Sequence, residues 1–457
     1  MANTSIFRNI ASTGNADICT ISCWFKRGTL GVEQALFGGW RSSTTRFQVR
    51  FQGSDNIDVE WGYSSSWYSL VTNRKFRDPS AWMHLVLAID STQGTPANRA
   101  KLYINGVQET SFSTENYMPQ NNDTLMTTSG DEMIVGGANA SSSSGAGNHN
   151  NWFKGEQSHF QFVDGLQLAP TEFGETDATD GMWKIKTTAY ATPGTNGFFL
   201  KMEDSTNMDL DSSSNALAFT TEGTLTATKD NPSNNFATLS PLIPFPSGLT
   251  MTNGNTSIAS TATQWAGRYS TQRVFSGKYY VEAQFVSTGD NFKFGVQGFD
   301  IAETANWSTL NTSYAGKSAV GYEYQCNNGS GYKVNNNSSP TWTNANFTPA
   351  TSTIMMAFDL DNGKIWWGRN GTWFNTSGTA NPATGTDAAF TGISTDNSPY
   401  LFGLSLEGNG SSSHINFGNG YFGTTAIGSP VTSNEGTWAY APPTGFGAVN
   451  TKWINTF

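Results

Sequence analysis

The stretch TIMMAFDLDNGKIWWGRNGTWF, residues 353–374, carries two Asn-Gly steps, at 362–363 and 370–371. Two-residue hairpin turns need positive φ, which Asn and Gly adopt at low cost. DNG at 361–363 and NG at 370–371 therefore predict two tight turns, and KIWWGR (364–369) between them is one strand. Successive side chains of a strand point to opposite faces, so Ile365 and Trp367 share one face and Trp366 takes the other. One tryptophan is core. The other points away from that core and calls for a second covering layer or a ligand; its large apolar area favours packing under a loop.

The rest of the chain follows the same grammar. ICTISCWF (18–25), RFQVRFQ (46–52), IDVEWGY (57–63), WMHLVLAID (82–90) and KLYINGVQ (101–108) have strand length and are mostly separated by polar turn formers. After residue 245 the runs lengthen: GKYYVEAQFV (277–286), FKFGVQGF (292–299), AVGYEYQC (319–326), PYLFGLSLEG (399–408) and SSHINFGN (412–419). Only 13% of residues are charged and 13% are aromatic, with Gly, Ser, Thr and Asn abundant. That mixture favours short strands joined by many turns. The expectation is an all-β protein of antiparallel strands, and 457 residues exceed one ordinary core, so two domains follow.

The formal net charge is −10, with 15 basic and 20 acidic residues up to residue 205 and 10 and 15 after it. Without a basic stripe the electrostatic term that dominates nucleic-acid binding is missing, and anionic lipid is equally unsupported. Cys19 and Cys23 sit four apart in one predicted strand. Their α-carbons would be on the order of 13 Å apart, beyond disulfide reach. Cys326 has no C-x-x-C partner, and all three read as buried small hydrophobes. The start MANTSIFRNIASTG has no basic-then-apolar leader, and no uncharged apolar run approaches ~18 residues. The expectation is a soluble protein made in a cytosol, with no membrane insertion. The N-x-S/T triplets at Asn306, Asn311 and Asn346 then read as by-products of an Asn/Ser/Thr-rich composition.

FRDPSAWMHLVLAIDSTQGTPANRAKLYINGVQ (76–108), with FVDGLQLAPTEFGE and TNGFFLKMEDSTNMDLDSS further on, resembles the laminin-G-like, concanavalin-A-like lectin jelly roll. The version it resembles is found in virion proteins of bacteriophages, chiefly marine ones. From about 248 to 447, GKYYVE, YAGKSAVGY, AFDLDNGKIWWGRNGTW and INFGN resemble in order the SPRY (B30.2) domain, a recognition sandwich. These resemblances imply two sandwiches in tandem, at 1–205 and 248–457, joined by an ordered connector at 206–247. In the connector, DNPSNNFATLSPL (230–242) differs from a flexible tether in having Pro232 and Pro241 to stiffen it and Phe236, Leu239 and Leu242 to dock. It is expected to pack in extended form on one or both sandwiches and to fix their orientation.

Glycosidases share the concanavalin-like architecture, and retaining ones place two carboxylates about 5 Å apart. The nearest pattern, ETDATD with Glu175, Asp177 and Asp180, lacks strand alternation and follows an FG turn. Asp58 and Glu60 share a strand face but read as part of a polar sheet surface. The four histidines, His84, His149, His159 and His414, fall in no metal-ligand spacing, and G-x-S-x-G is absent. No catalytic set is expected. The lectin resemblance makes calcium possible at Asp209 and Asp211 of NMDLDSSSN, although one D-x-D does not supply the roughly 6–8 oxygens that calcium takes. Trp67 and Tyr68 after a serine turn, Trp152 beyond a Ser/Gly-rich loop and Trp342 in NNNSSPTWTNANF are aromatics among Asn and Ser. Sugars are held that way, by C–H stacking on the ring and by hydrogen bonds from amides.

The function implied is a non-enzymatic virion surface protein, on capsid or tail, assembled in the host cytoplasm among other virion proteins and presenting lectin-like domains to host cell-surface glycan. A capsid cement protein and a polysaccharide depolymerase are the alternatives.

Overall fold

The computed structural model describes residues 3–242, 248–261, 263–286, 291–298, 314–327, 329–342, 345–346, 352–374, 378–394 and 399–456. Asn306 and Asn311 lie outside the described residues, whereas Asn346 is exposed. The chain divides into two compact units, Met1–Ala227 and Thr228–Phe457. Each is an antiparallel β-sandwich.

In the first unit, eight strands form one sheet in the spatial order Phe112–Asn116, Ser66–Lys75, Asn56–Tyr63, Thr45–Phe51, Gln34–Ser42, Glu132–Val135, Ser5–Asn9 and Thr220–Glu222. Six more form the opposing sheet: Phe198–Leu200, Gly155–Asp164, Ile18–Arg27, Met83–Asp90, Ala100–Ile104 and Val107–Gln108. Alternation decides the core between them: Ile21, Cys23 and Phe25 from one sheet pack with Phe47, Val49, Val59 and Trp61 from the other. Cys19, Cys23 and Cys326 are buried and form no disulfide, and burial pushes the Cys23 thiol up to about 12.

The histidine of the W-x-H stretch is spent on this fold. His84 is fully buried, stacked 4.7 Å from Trp24, with Ser22 Oγ 2.8 Å from Nε2 and Trp183 Nε1 3.0 Å from Nδ1. An indole N–H only donates, so Nδ1 accepts, the ring proton sits on Nε2, and the ring is neutral. Burial, which lowers its pKa to about 3, keeps it so. Asp90 likewise closes the turn after its strand, accepting from the Thr92 backbone and hydroxyl and from Gln93.

In the second unit, Lys364–Arg369 lies between Thr353–Asp359 and Thr372–Trp373. The second turn is the two-residue type expected, with Asn370 and Gly371 at φ 49° and 84°. The first differs: residues 360–363 form a four-residue loop in which only Gly363 has positive φ, because the Asp359 carboxylate takes the Asn362 N–H and leaves Asn362 outside the left-handed region. Ile365 and Trp367 face the inter-sheet core. Trp366 faces the other way and is also fully buried: beside Tyr280, Met355 and Ala357 of the same sheet face, a second layer of Phe236, Trp438, Phe446 and Ala448 covers it. Its indole N–H donates to the Thr386 carbonyl at 2.9 Å.

A buried carboxylate ties that layer down. Glu282, on the same strand face as Tyr280, accepts from the backbone N–H groups of Ala439 (3.0 Å) and Tyr440 (2.9 Å), from Asn416 and from the Tyr280 hydroxyl. The expected separate connector at 206–247 is not one element. Residues 206–227 complete the first unit, where Thr220–Glu222 is the edge strand of the eight-stranded sheet. Residues 230–240 are built into the second unit by backbone bonds from Ala237 to Val449, Leu239 to Asn255 and Ser240 to Tyr269. Phe236 enters the covering layer and Leu239 the inter-sheet core. Leu242, expected to dock, is instead 52% exposed, since the backbone pairing has ended before it.

Candidate functional site

On the eight-stranded sheet, Phe47, Val49, Phe51, Ile57, Val59, Trp61 and Leu70 point into the core. Their alternates stand on the opposite face, and the register aligns them in rows across three strands. Arg46, Gly62 and Trp67 form one row, Gln48, Glu60 and Ser69 the next, and Arg50, Asp58 and Val71 the third. Asn116 extends the middle row onto a fourth strand.

Trp67 dominates the first row. Its indole is 41% exposed and folds across Gly62, where a Cβ would meet the ring at 2.3 Å, so only glycine permits this approach. The Arg46 guanidinium sits 4.6 Å from the ring centroid, a cation–π contact worth about 0.5–1 kcal/mol at an exposed site. Behind it Arg50 bridges Asp58 (3.0 Å) and Glu60 (2.8 Å) and also pairs with Glu33. Gln48 donates to Glu60 at 2.6 Å, and Ser69 and Gln52 donate to Asp58 at 2.6 and 3.1 Å. The carboxylates are thus held in place, with Glu60 still part-exposed.

The far end of this face is closed. Phe7, Trp40 and Ile134 cluster there, and the segment 138–150 lies on them: Trp40 Nε1 donates to the Ser141 carbonyl, and Ala138 Cα is 3.0 Å from where a Gly38 Cβ would be. Buried His149 anchors that segment, its Nδ1 2.8 Å from Ser5 Oγ and 2.5 Å from Glu222. The open area is therefore bounded by this segment on one side and by the edge strand Phe112–Asn116 on the other.

The expected aromatic residues do not converge. Tyr68, next to Trp67, turns inward by parity and packs against the core. Trp152 is part-buried in a bridge with Ala35, its indole nitrogen shielded. Trp342, expected at a loop tip, is a correction: it is 4% exposed in the second core, edge-on to Trp367 and Phe374, where the neighbouring rings offer more buried area than solvent does. Asp211 is 5% exposed and serves the backbone, accepting from the N–H groups of Phe199, Ser213 and Leu217 and from the Ser213 hydroxyl. Asp209 accepts from the Thr221 hydroxyl. No group of three or more His, Cys, Asp or Glu suited to a metal ion occurs among the described residues. Of the ETDATD acids, Asp177 and Asp180 both pair with Lys184, at 2.6 and 2.8 Å. Arg46, Gln48 and Arg50 were not singled out from the sequence, although RFQVRF puts a polar residue at every second position and pairing it with IDVEW would have shown the face.

Residues 6–164, which hold all the strands of this site, match the model of the concanavalin A-like lectin/glucanases superfamily, laminin G type. The first unit accordingly has a concanavalin A-like lectin fold. No curated protein matches the chain. Among solved structures it is similar to the SPRY domain of human HERC1 (16% identity, 36% of this chain and 91% of that one, TM-score 0.27). Others are a SAP-like pentraxin of Limulus polyphemus (12%, 36% and 72%, 0.28) and domain 4 of the Geobacillus stearothermophilus arabinanase AbnA, solved with arabinotriose (24%, 34% and 64%, 0.26).

Proposed function

We propose that the first unit binds a glycan on the face that carries Trp67, and that the chain is a non-enzymatic recognition protein of a phage virion surface. The observation that carries the glycan reading is the half-exposed Trp67 indole, set beside Arg46 and next to the accessible hydrogen-bonding groups Glu60, Ser69 and Asn116, with buried Gln48 holding Glu60 in place. A sugar presents apolar C–H faces and hydroxyls together, and needs both kinds of partner side by side. Asp58 and Glu60 are engaged by Arg50, and Asp177 and Asp180 by Lys184, which favours recognition over hydrolysis. The virion assignment is supported by the sequence resemblance over 76–108 and 248–447. On this reading its partners are other virion proteins and host-surface glycan, and no cation is required.

The test is binding of the purified chain to a panel of soluble polysaccharides, with Trp67→Ala beside the parent. Removing a central aromatic should weaken binding by about 2 kcal/mol, roughly 30-fold. Equal binding by the variant would place the ligand elsewhere, and release of new reducing ends would favour a depolymerase. Labelling the chain within assembled particles tests the virion assignment.

A further inference from the structure

We infer that the glycan taken by the Trp67 face is uncharged, and that acidic polysaccharides are rejected there. This rests on the glycan reading above and specifies its ligand class. The charged groups on or over the open rows are Arg46, Arg50, Glu33, Asp58 and Glu60, two cations against three anions.

Arg50 is not free to receive an anion, whereas Arg46 forms no ion pair among the described residues and faces the Trp67 ring instead. Arg50 is held among three carboxylates, and only 18% of its side chain is exposed. Arg46 is stacked on Trp67 and donates to the Ser43 carbonyl, and it feels Glu60 and Glu33 across the sheet. A uronate or sialate carboxylate brought to this face would meet Glu60 and Glu33 together, against the single guanidinium of Arg46, which is already spread over the Trp67 ring, and like charges suppress the wrong partner.

Hydroxyls fit the same groups without that conflict. A carboxylate offers about four lone-pair sites and Glu60 uses one on each oxygen, for Gln48 and Arg50, so it can still accept from a sugar hydroxyl. Ser69 and the exposed Asn116 lie in the same row. From the Thr45–Phe51 strand to the Phe112–Asn116 strand the face spans roughly 14 Å, three inter-strand spacings. It suits a short run of an uncharged hexose polymer lying across the strands.

The experiment compares the parent, Trp67→Ala and Glu33→Lys against dextran and mannan (neutral), alginate and hyaluronate (acidic) and chitosan oligosaccharides (cationic). The parent should bind a neutral polymer at least about tenfold more tightly than any charged one. Its affinity should hold as salt rises from about 0.1 M to about 1 M, where the screening length falls from roughly 10 to 3 Å. Glu33 is 45% exposed, so its replacement leaves the core untouched. Glu33→Lys reverses the local balance and should raise alginate or hyaluronate binding about tenfold at low salt. Binding of a charged polymer in preference to neutral ones, lost in Trp67→Ala, would overturn the charge inference and leave the glycan reading standing. Failure to bind any of the polymers would overturn both.

Discussion

Phe236→Ala tests whether the 230–242 stretch is part of a core. Phe236 is 2% exposed and, with Trp438 and Phe446, packs over Tyr280 and Trp366 of the sheet. Its ring lies 3.1 Å from where a Gly418 Cβ would be, so the packing is tight. The backbone on either side is pinned, by Asp230 accepting from the Phe236 N–H and by the Ala237 bond to Val449. A pinned backbone cannot collapse into the space left, so the loss should fall in the range of about 3–5 kcal/mol for a buried Phe→Ala. For a unit of this size that is a drop of roughly 6–20 °C in Tm. Leu242→Ala, at a position 52% exposed, is the control and should stay within about 0.5 kcal/mol. The assay is urea denaturation followed by tryptophan fluorescence, to which Trp366 and Trp438 report directly, with calorimetry for Tm. If Phe236→Ala costs no more than Leu242→Ala, the stretch is a tether and the layer over Trp366 does not depend on it.

Burial first of all raises the Glu282 carboxyl to about 7, against four donors that pull it down. A folded-state pKa raised from 4.5 stabilises fully below that value, and the gain is lost as pH rises through about 7. The term is on the order of 3 kcal/mol, and Glu282→Gln should flatten the stability profile of the second unit between about pH 5 and 7. An unchanged slope in denaturant titrations would exclude it. Arg27 and Asp55 form a buried pair at 3.0 Å, with side chains 0% and 4% exposed. Asp55→Ala strands the guanidinium and should cost the first unit about 3–5 kcal/mol by the same titration. Because all four interactions of the Asp211 carboxylate are with protein donors, thermal melting should be the same in excess calcium and in EDTA. A calcium-dependent rise in Tm would show a site that these donors must yield to.

Much of the fold was legible in the sequence because a strand needs only a local period. ICTISCWF, RFQVRFQ, IDVEWGY, WMHLVLAID and GKYYVEAQFV all appear as strands within a residue or two of the runs. The strands Gln34–Ser42 and Glu132–Val135 escaped that reading, since their buried runs show no alternation. The Asp-Asn-Gly turn was misjudged because a side chain, the Asp359 carboxylate, set its geometry, and composition alone does not show that. The candidate site was less legible. Trp67 could be singled out, but its companions come from strands whose register is fixed only when the sheet forms.

By itself the sequence determined strand parity at KIWWGR, and therefore that Trp366 and Trp367 oppose each other; that Trp67 opposes Tyr68 in the same way emerged with the strand Ser66–Lys75. Only the tertiary structure decided what lies against each face. Trp366 and Trp67 are both the outward member of such a pair. One is sealed under Phe236, Trp438 and Phe446, while the other keeps 41% of its surface in water. Parity is a property of the backbone, whereas burial depends on segments 72 to 130 residues away along the chain folding back over the sheet.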